Sequence, residues 1–149
     1  MSLTEPSSSL LALRAEKLAY TFQLLPDNEE RLRYLITLGR RYPALDPVHR
    51  LEANLLSGCI SQLWIYAEIR EGLCFFQMDA DALISKGMAA LLCEFYNAAP
   101  PYAVATYEPN FLISTGLTSL ISPSRQSGLG SLRQTIRSFA MNNLSQTIA

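Results

Sequence analysis

Histidine, tryptophan and cysteine are scarce in this chain. It has one histidine, one tryptophan and three cysteines, at positions 59, 74 and 93. Structural zinc sites usually take four Cys or His ligands at short spacings such as C-x-x-C, and that spacing does not occur here. An odd number of cysteines cannot close into a complete set of disulfides. We therefore expect no Cys/His zinc site, and free thiols in a reducing compartment.

Long apolar runs and an excess of positive charge are also missing. No apolar stretch reaches the roughly 20 residues that a membrane-spanning helix needs. The net charge is −1, whereas phosphate recognition needs a basic surface. The N-terminal residues 1–13 lack the basic segment with which a signal peptide begins. These features predict a cytoplasmic protein that binds neither nucleic acid nor membrane.

The composition that remains is that of a folded globular domain. The chain has 149 residues, of which 49% are hydrophobic and 17% are charged. That length suits one domain, and the apolar content is enough for a core. We expect a single domain over residues 1–149, with the small polar residues of about 1–9 forming a flexible leader.

Apolar spacing and turn residues predict helices at both ends of the chain and strands in the middle. The predicted helices cover residues 10–25, 27–41, about 79–96, 110–120 and 127–144. The predicted strands cover residues 51–56, 63–69 and 73–78, of which the last two form a hairpin around Gly72. The fold class is therefore α+β, with helices packed on a small antiparallel sheet of about three strands.

The three cysteines have different sequence surroundings. Cys74 follows Leu73 on a predicted strand, and Cys93 follows Leu92 in a predicted helix, so both are expected in the core. Cys59 follows Gly58 in a predicted loop of small residues. A glycine can bring a thiol to the surface, and a reactive thiol needs such access. Cys59 is therefore the candidate reactive residue, although its position alone does not establish a function.

Other polar residues have simpler explanations. His49 could serve Cys59 as a base in a hydrolase, but no third catalytic residue is identifiable, and a solvent-facing loop residue is favoured. Asp79 and Asp81 could be catalytic carboxylates or metal ligands, yet capping the following helix is favoured. Arg125 follows a Ser-Pro-Ser turn, and its spacing alone indicates a surface residue.

Four blocks of the sequence, at residues 29–40, 58–64, 79–88 and 120–129, together resemble the SufE/CsdE family of sulfur acceptors. The residues Gly58-Cys59-Ile60-Ser61-Gln62-Leu63-Trp64 resemble the family signature G-C-x-S-Q-V-W. The other blocks, in the family's order, cover residues 29–40, 79–88 and 120–129. The chain departs from the family pattern at Leu32, Ile60, Leu63 and Ala80.

The resemblance implies a fold like that of the IscU scaffold proteins and a role beside a cysteine desulfurase, with no metal and no cofactor needed on this chain. Cys59 would take persulfide sulfur from a SufS/CsdA-like desulfurase, stimulate that enzyme, and deliver the sulfur to a SufBCD-like scaffold for iron–sulfur cluster assembly. The loop would shield Cys59 when idle and expose it when the partner docks. A monomer that forms transient complexes is expected. The alternative is a desulfurase activator that transfers no sulfur.

The resemblance also suggests roles for the neighbours of Cys59. Gly58 would supply the turn, Ser61 and Gln62 would hold the loop by hydrogen bonds, and Trp64 would anchor the following strand in the core. Asp81 and Arg125 would flank the loop from other segments, with the arginine favouring the thiolate or persulfide anion.

Overall fold

The computed structural model describes residues 5–56 and 62–145. Within these ranges the chain forms a two-stranded antiparallel hairpin that is packed among α-helices, which confirms the predicted α+β class. The helices are α1 (Glu5–Leu24), α2 (Asn28–Arg41), α3 (Leu83–Tyr96), α4 (Pro101–Thr106), α5 (Phe111–Ser114) and α6 (Pro123–Met141). The strands are β1 (Leu63–Arg70) and β2 (Leu73–Ala80), and short 3₁₀ turns lie at Pro47–His49, Glu52–Asn54 and Leu117–Leu120. None of the helices described is both long and apolar enough to cross a bilayer.

Local signals account for α2 and the hairpin. The Asp27 carboxylate accepts a hydrogen bond from the Glu30 backbone nitrogen at 2.9 Å, which caps the start of α2 as predicted. Strand β1 pairs with β2 from Leu63 opposite Ala80 to Arg70 opposite Leu73. The connecting residues Glu71 and Gly72 have φ values of 52° and 78°. Such a left-handed pair makes the tight turn that suits the twist of an antiparallel hairpin.

The predicted third strand over residues 51–56 is wrong. Residues Glu52–Asn54 form a 3₁₀ turn, and only Leu55 makes an isolated β-bridge, to Trp64. The Asn54 side-chain amide donates a hydrogen bond to the His49 carbonyl at 2.8 Å. Backbone bonds from Asn54 to Leu51 and from Leu55 to Glu52 close the turn itself, and a segment folded in this way cannot extend along β1.

The helical boundaries also differ from the predicted ones. Helix α1 begins at Glu5, so residues 5–9, expected in the leader, are helical. The single predicted helix over residues 110–120 is α5 followed by a 3₁₀ turn, because Gly116 takes a left-handed φ of 78° between them. Helix α4 was not predicted, and α6 begins four residues early, at Pro123.

Helices α2 and α3 cross with their backbones in contact. A Cβ atom added to Gly39 would lie 2.9 Å from the Gly87 nitrogen, and one added to Gly87 would overlap the Leu35 carbonyl. Each helix therefore has a glycine where the other helix passes. The close crossing lets α3 bury nine of its fourteen residues, many of them against β2 and α2.

We predict that Gly87→Ala destabilises the fold, because the added methyl meets backbone that cannot rotate away. The expected loss in the free energy of unfolding is about 3 kcal/mol, at the upper end for overpacking. Gly130→Ala is the matched control, since nothing lies within 4 Å of a Cβ at this helical position. The control should gain up to about 1 kcal/mol from helix propensity. Chemical denaturation of the three proteins measures both changes, and equal stability of the two variants would contradict the crossing.

Candidate functional site

The candidate nucleophile and its immediate neighbours belong to residues 57–61, between the two described parts of the chain. Gly58, Cys59 and Ser61 are therefore outside the described residues, and their assignment stays a prediction. The structure does describe Gln62, Trp64, Asp81 and Arg125, and the two segments on either side of residues 57–61. We call these segments the N-terminal stem (residues 50–56) and the C-terminal stem (residues 62–64).

The two stems lie side by side. The Leu56 backbone nitrogen donates a hydrogen bond to the Leu63 carbonyl at 2.8 Å, and Leu55 bridges Trp64 in antiparallel fashion. Residues 57–61 thus connect two backbone segments that are already hydrogen-bonded to each other. The segment that carries the cysteine is therefore a short connection with fixed ends.

Asp81 holds the C-terminal stem. Its carboxylate accepts a hydrogen bond from the Gln62 backbone nitrogen at 3.0 Å, and its own backbone nitrogen donates to the Gln62 carbonyl at 3.1 Å. The predicted capping of α3 by Asp81 is wrong, because Ala82 occupies the cap position and makes no side-chain bond there. The carboxylate instead binds the backbone of Gln62, which is a residue of the motif.

Asp79 is also not a helix cap. It lies on β2 with 8% of its surface exposed, and it is ion-paired with Arg50 from the N-terminal stem. Lys86 from α3 approaches the same carboxylate at 3.4 Å, and the Ala80 backbone nitrogen donates to it at 2.8 Å. A buried carboxylate needs such partners, since an unpaired one would be costly. No group of three potential metal-binding residues occurs among the residues described, Asp79 and Asp81 included.

Trp64 is buried on the strand position directly opposite Asp79. The guanidinium of Arg50 lies over its indole ring, 4.4 Å from the centroid. This is the geometry of a cation–π contact, which is favourable and strongest with tryptophan. Arg50 of the N-terminal stem therefore contacts both Asp79 and Trp64 of the hairpin.

Arg125 lies half-buried in the first turn of α6, after Ser122, whose hydroxyl accepts from the Arg125 backbone nitrogen at 3.3 Å. It lines a narrow cleft together with Leu63, Ile84 and Met88. The cleft encloses about 20 Å³, which is room for about one water molecule. Arg125 is therefore on the same side of the molecule as Leu63, the second residue of the C-terminal stem.

His49 is half-buried, so the expectation of a solvent-facing ring was wrong. Its imidazole stacks on the Tyr66 ring, with centroids 3.5 Å apart and planes inclined by 8°. The ring thus helps to lay the segment before Arg50 against the hairpin. Because Cys59 is outside the described residues, the alternative of a Cys59–His49 pair is still open.

The other two cysteines lie in the core, as predicted. Cys74 and Cys93 are free thiols with no exposed surface. Burial raises the pKa of Cys74 to about 12 and raises the pKa of Cys93 as well. Since the thiolate is the nucleophile, both residues are poorly suited to thiol exchange near neutral pH.

Arg50 and Lys86 are the residues of this region that sequence reasoning missed. One signal was available for Arg50: it is the only lysine or arginine between Arg41 and Arg70. A lone cation in a stretch with a candidate loop invites a search for an acidic partner. Its partner is 29 residues away along the chain, so the sequence alone did not identify it.

We predict that neither core cysteine reacts with iodoacetamide in the native Cys59→Ser variant at pH 8. With a pKa of about 12, Cys74 would be thiolate in only about one molecule in ten thousand. Mass spectrometry should show no adduct in buffer and two adducts in guanidinium chloride. Rapid native labelling of either residue would contradict the raised pKa.

Comparisons with known proteins agree with this architecture. The family model described as "SufE: Fe-S metabolism associated domain" matches residues 16–140. The chain is 32% identical over 112 residues to the uncharacterized SufE-like protein slr1419 of Synechocystis sp., covering 75% of this chain and 70% of that protein.

A solved structure has the same fold. It is the solution structure of a hypothetical protein from Thermus thermophilus, with a TM-score of 0.75 and 23% sequence identity, covering 88% of this chain and 96% of that one. The family match spans most of the chain and includes both stems, Asp79, Asp81 and Arg125. The chain therefore belongs to the SufE family, which is associated with Fe–S metabolism.

Proposed function

We propose that this protein is a sulfur carrier that accepts a persulfide on Cys59 from a cysteine desulfurase and delivers it for iron–sulfur cluster assembly. The contrast among the three cysteines carries the proposal. Cys74 and Cys93 are buried thiols with raised pKa values. Cys59 is the cysteine of the family motif, and it is the remaining candidate for thiol exchange.

The transfer step needs no oxidant and no cofactor on this chain. The Cys59 thiolate attacks the outer sulfur of a persulfide held by the desulfurase. A sulfur–sulfur bond forms to Cys59, the original sulfur–sulfur bond breaks, and the thiolate of the desulfurase leaves with the electron pair. The product is a Cys59 persulfide. A thiolate of a cluster scaffold can then attack the outer sulfur of this persulfide in the same way.

The stems support a role for Cys59 as the presented residue. Cys59 is three residues from Leu56 and three from Gln62 along the sequence. Three residues of chain reach about 11 Å at most. Both ends are held, Leu56 by Leu63 and Gln62 by Asp81. A nucleophile on a short, anchored connection can be offered to a partner at low entropic cost.

The partners follow from the chemistry of the step. The donor must be an enzyme that carries a persulfide, and a cysteine desulfurase of the SufS/CsdA kind is the proposed one. The acceptor is proposed to be an Fe–S scaffold of the SufBCD kind. We propose that the protein acts in the cytoplasm as a monomer that forms transient complexes with both.

The first test is intact-protein mass spectrometry after incubation with a desulfurase and cysteine. The wild-type protein should gain about one sulfur mass, which a reductant removes. Cys59→Ser should gain none, because it has lost the attacking thiolate. Cys74→Ala is the matched control, since it removes a buried thiol and should still accept sulfur.

The same experiment distinguishes the carrier from a desulfurase activator. If neither the wild type nor Cys59→Ser gains sulfur while both raise desulfurase turnover, the carrier function is wrong and the activator is right. If sulfur is found on Cys74 or Cys93 instead, the assignment of Cys59 is wrong.

A second prediction concerns Arg125, which lines the cleft beside Leu63. If its charge favours the thiolate or persulfide anion, Arg125→Ala should slow sulfur loading by about three- to tenfold and raise the pH at which Cys59 is alkylated. Arg137→Ala is the matched control, because Arg137 is an exposed residue of the same helix. If Arg125→Ala and Arg137→Ala give the same rates of sulfur loading and the same pH profiles of alkylation, Arg125 has no role in the chemistry of Cys59.

A further inference from the structure

The three charged residues Arg50, Asp79 and Lys86, which we call the acid clamp, form a cluster at the base of the two stems. The side chain of Asp79 is 12% exposed, whereas those of Arg50 and Lys86 are 44% and 26% exposed. The carboxylate is thus the buried centre and the cations approach from more open positions. Removing one partner from a buried pair usually costs more than the pair contributes, so such clusters hold their geometry tightly.

The clamp acts on one stem more than on the other. The C-terminal stem runs directly into β1, which pairs with β2 along eight residues. The N-terminal stem has no such ladder. Its backbone is tied to the C-terminal stem by the Leu55–Trp64 bridge and the bond from Leu56 to Leu63.

Arg50 connects the N-terminal stem to the hairpin through its side chain, in place of the strand pairing that the stem backbone lacks. Its guanidinium is ion-paired with Asp79 and stacked over Trp64, two residues that face each other across the hairpin. An arginine held by both an acid and an aromatic ring has few orientations available. The start of the N-terminal stem is therefore attached to the hairpin through the Arg50 side chain, next to the stack of His49 on Tyr66.

We propose that Arg50 and Asp79 are positioning residues for sulfur transfer, which orient the segment carrying Cys59 by fixing its N-terminal stem on the hairpin. This inference depends on the proposed function. Transfer between two proteins requires the thiolate to approach the outer sulfur along the sulfur–sulfur axis, so a small loss of orientation has a large effect on rate. A small alkylating reagent has no such requirement.

A purely electrostatic role would leave a different signature. The clamp carries two positive charges and one negative charge. If it acted through its field, Arg50→Met would raise the pKa of a nearby thiol, and Asp79→Asn would lower it. If it acts through position, the two substitutions change transfer in the same direction, and the double variant is little worse than either one.

The experiment measures single-turnover transfer from a persulfide-loaded desulfurase to the full-length protein. We expect Arg50→Met and Asp79→Asn each to slow transfer by about tenfold, and the double variant to be slowed to a similar extent. The pH midpoint for iodoacetamide labelling of Cys59 should stay within about 0.3 pH units of the wild-type value in both single variants and in the double variant. Arg33→Met with Glu30→Gln is the matched control, because this ion pair is exposed on α2.

Arg50→Lys keeps the charge and loses the planar guanidinium, and it should recover part of the lost rate. It also keeps the test valid if Asp79→Asn fails to fold. Transfer within twofold of wild type in the Arg50 variants, or labelling midpoints that move in opposite directions, would overturn the positioning role. Absence of transfer by the wild type would instead reject the proposed function, so the two failures are distinguishable.

Discussion

The backbone contact of α2 and α3 at Gly39 and Gly87 is the constraint on which the rest of the structure depends. A glycine on each helix allows a separation that any side chain would prevent. At that separation α3 can lie between α2 and the hairpin and bury most of its surface. The hairpin has only two strands, which are marginal alone in water. Its stability therefore depends on the helices packed against it, chiefly α3, which the two glycines bring close, and also α6, whose Phe139 contacts Phe76.

The position of α3 also sets the geometry around the two stems. Lys86 precedes Gly87, so the residue that fixes the helix crossing is next to the one that reaches Asp79. Ile84 and Met88, on the same helix, line the cleft that contains Arg125. Each stem is held by a different aspartate near the end of β2. Asp79 holds the N-terminal stem through Arg50, and Asp81 holds the C-terminal stem through Gln62.

Local sequence signals predicted the elements whose causes are local. The Asp27 cap of α2, the tight turn at Gly72 and the apolar face of α3 all follow from residues within a few positions of one another. The failures share a different cause. Residues 51–56 looked like a strand because they are largely apolar, but backbone bonds of a 3₁₀ turn, together with a side-chain bond from Asn54 to His49, fold most of them into a turn. Asp79 and Asp81 looked like caps, yet residues 29 and 19 positions away engage them.

The same limit applies to the site. The motif made Cys59 the candidate nucleophile, which stays a prediction. Apolar flanks correctly predicted Cys74 and Cys93 as core residues, because burial is a property that neighbouring residues reveal. The environment of a nucleophile is not local in that sense. In this chain the groups around the two stems come from β2, α3 and α6 and the residues next to them, and they lie from about 20 to over 60 positions beyond residue 59 along the sequence. A family motif can therefore name a candidate nucleophile, whereas charged groups beside the stems, such as Arg50, Asp79 and Lys86, are recognised only from the structure of the stems on the hairpin.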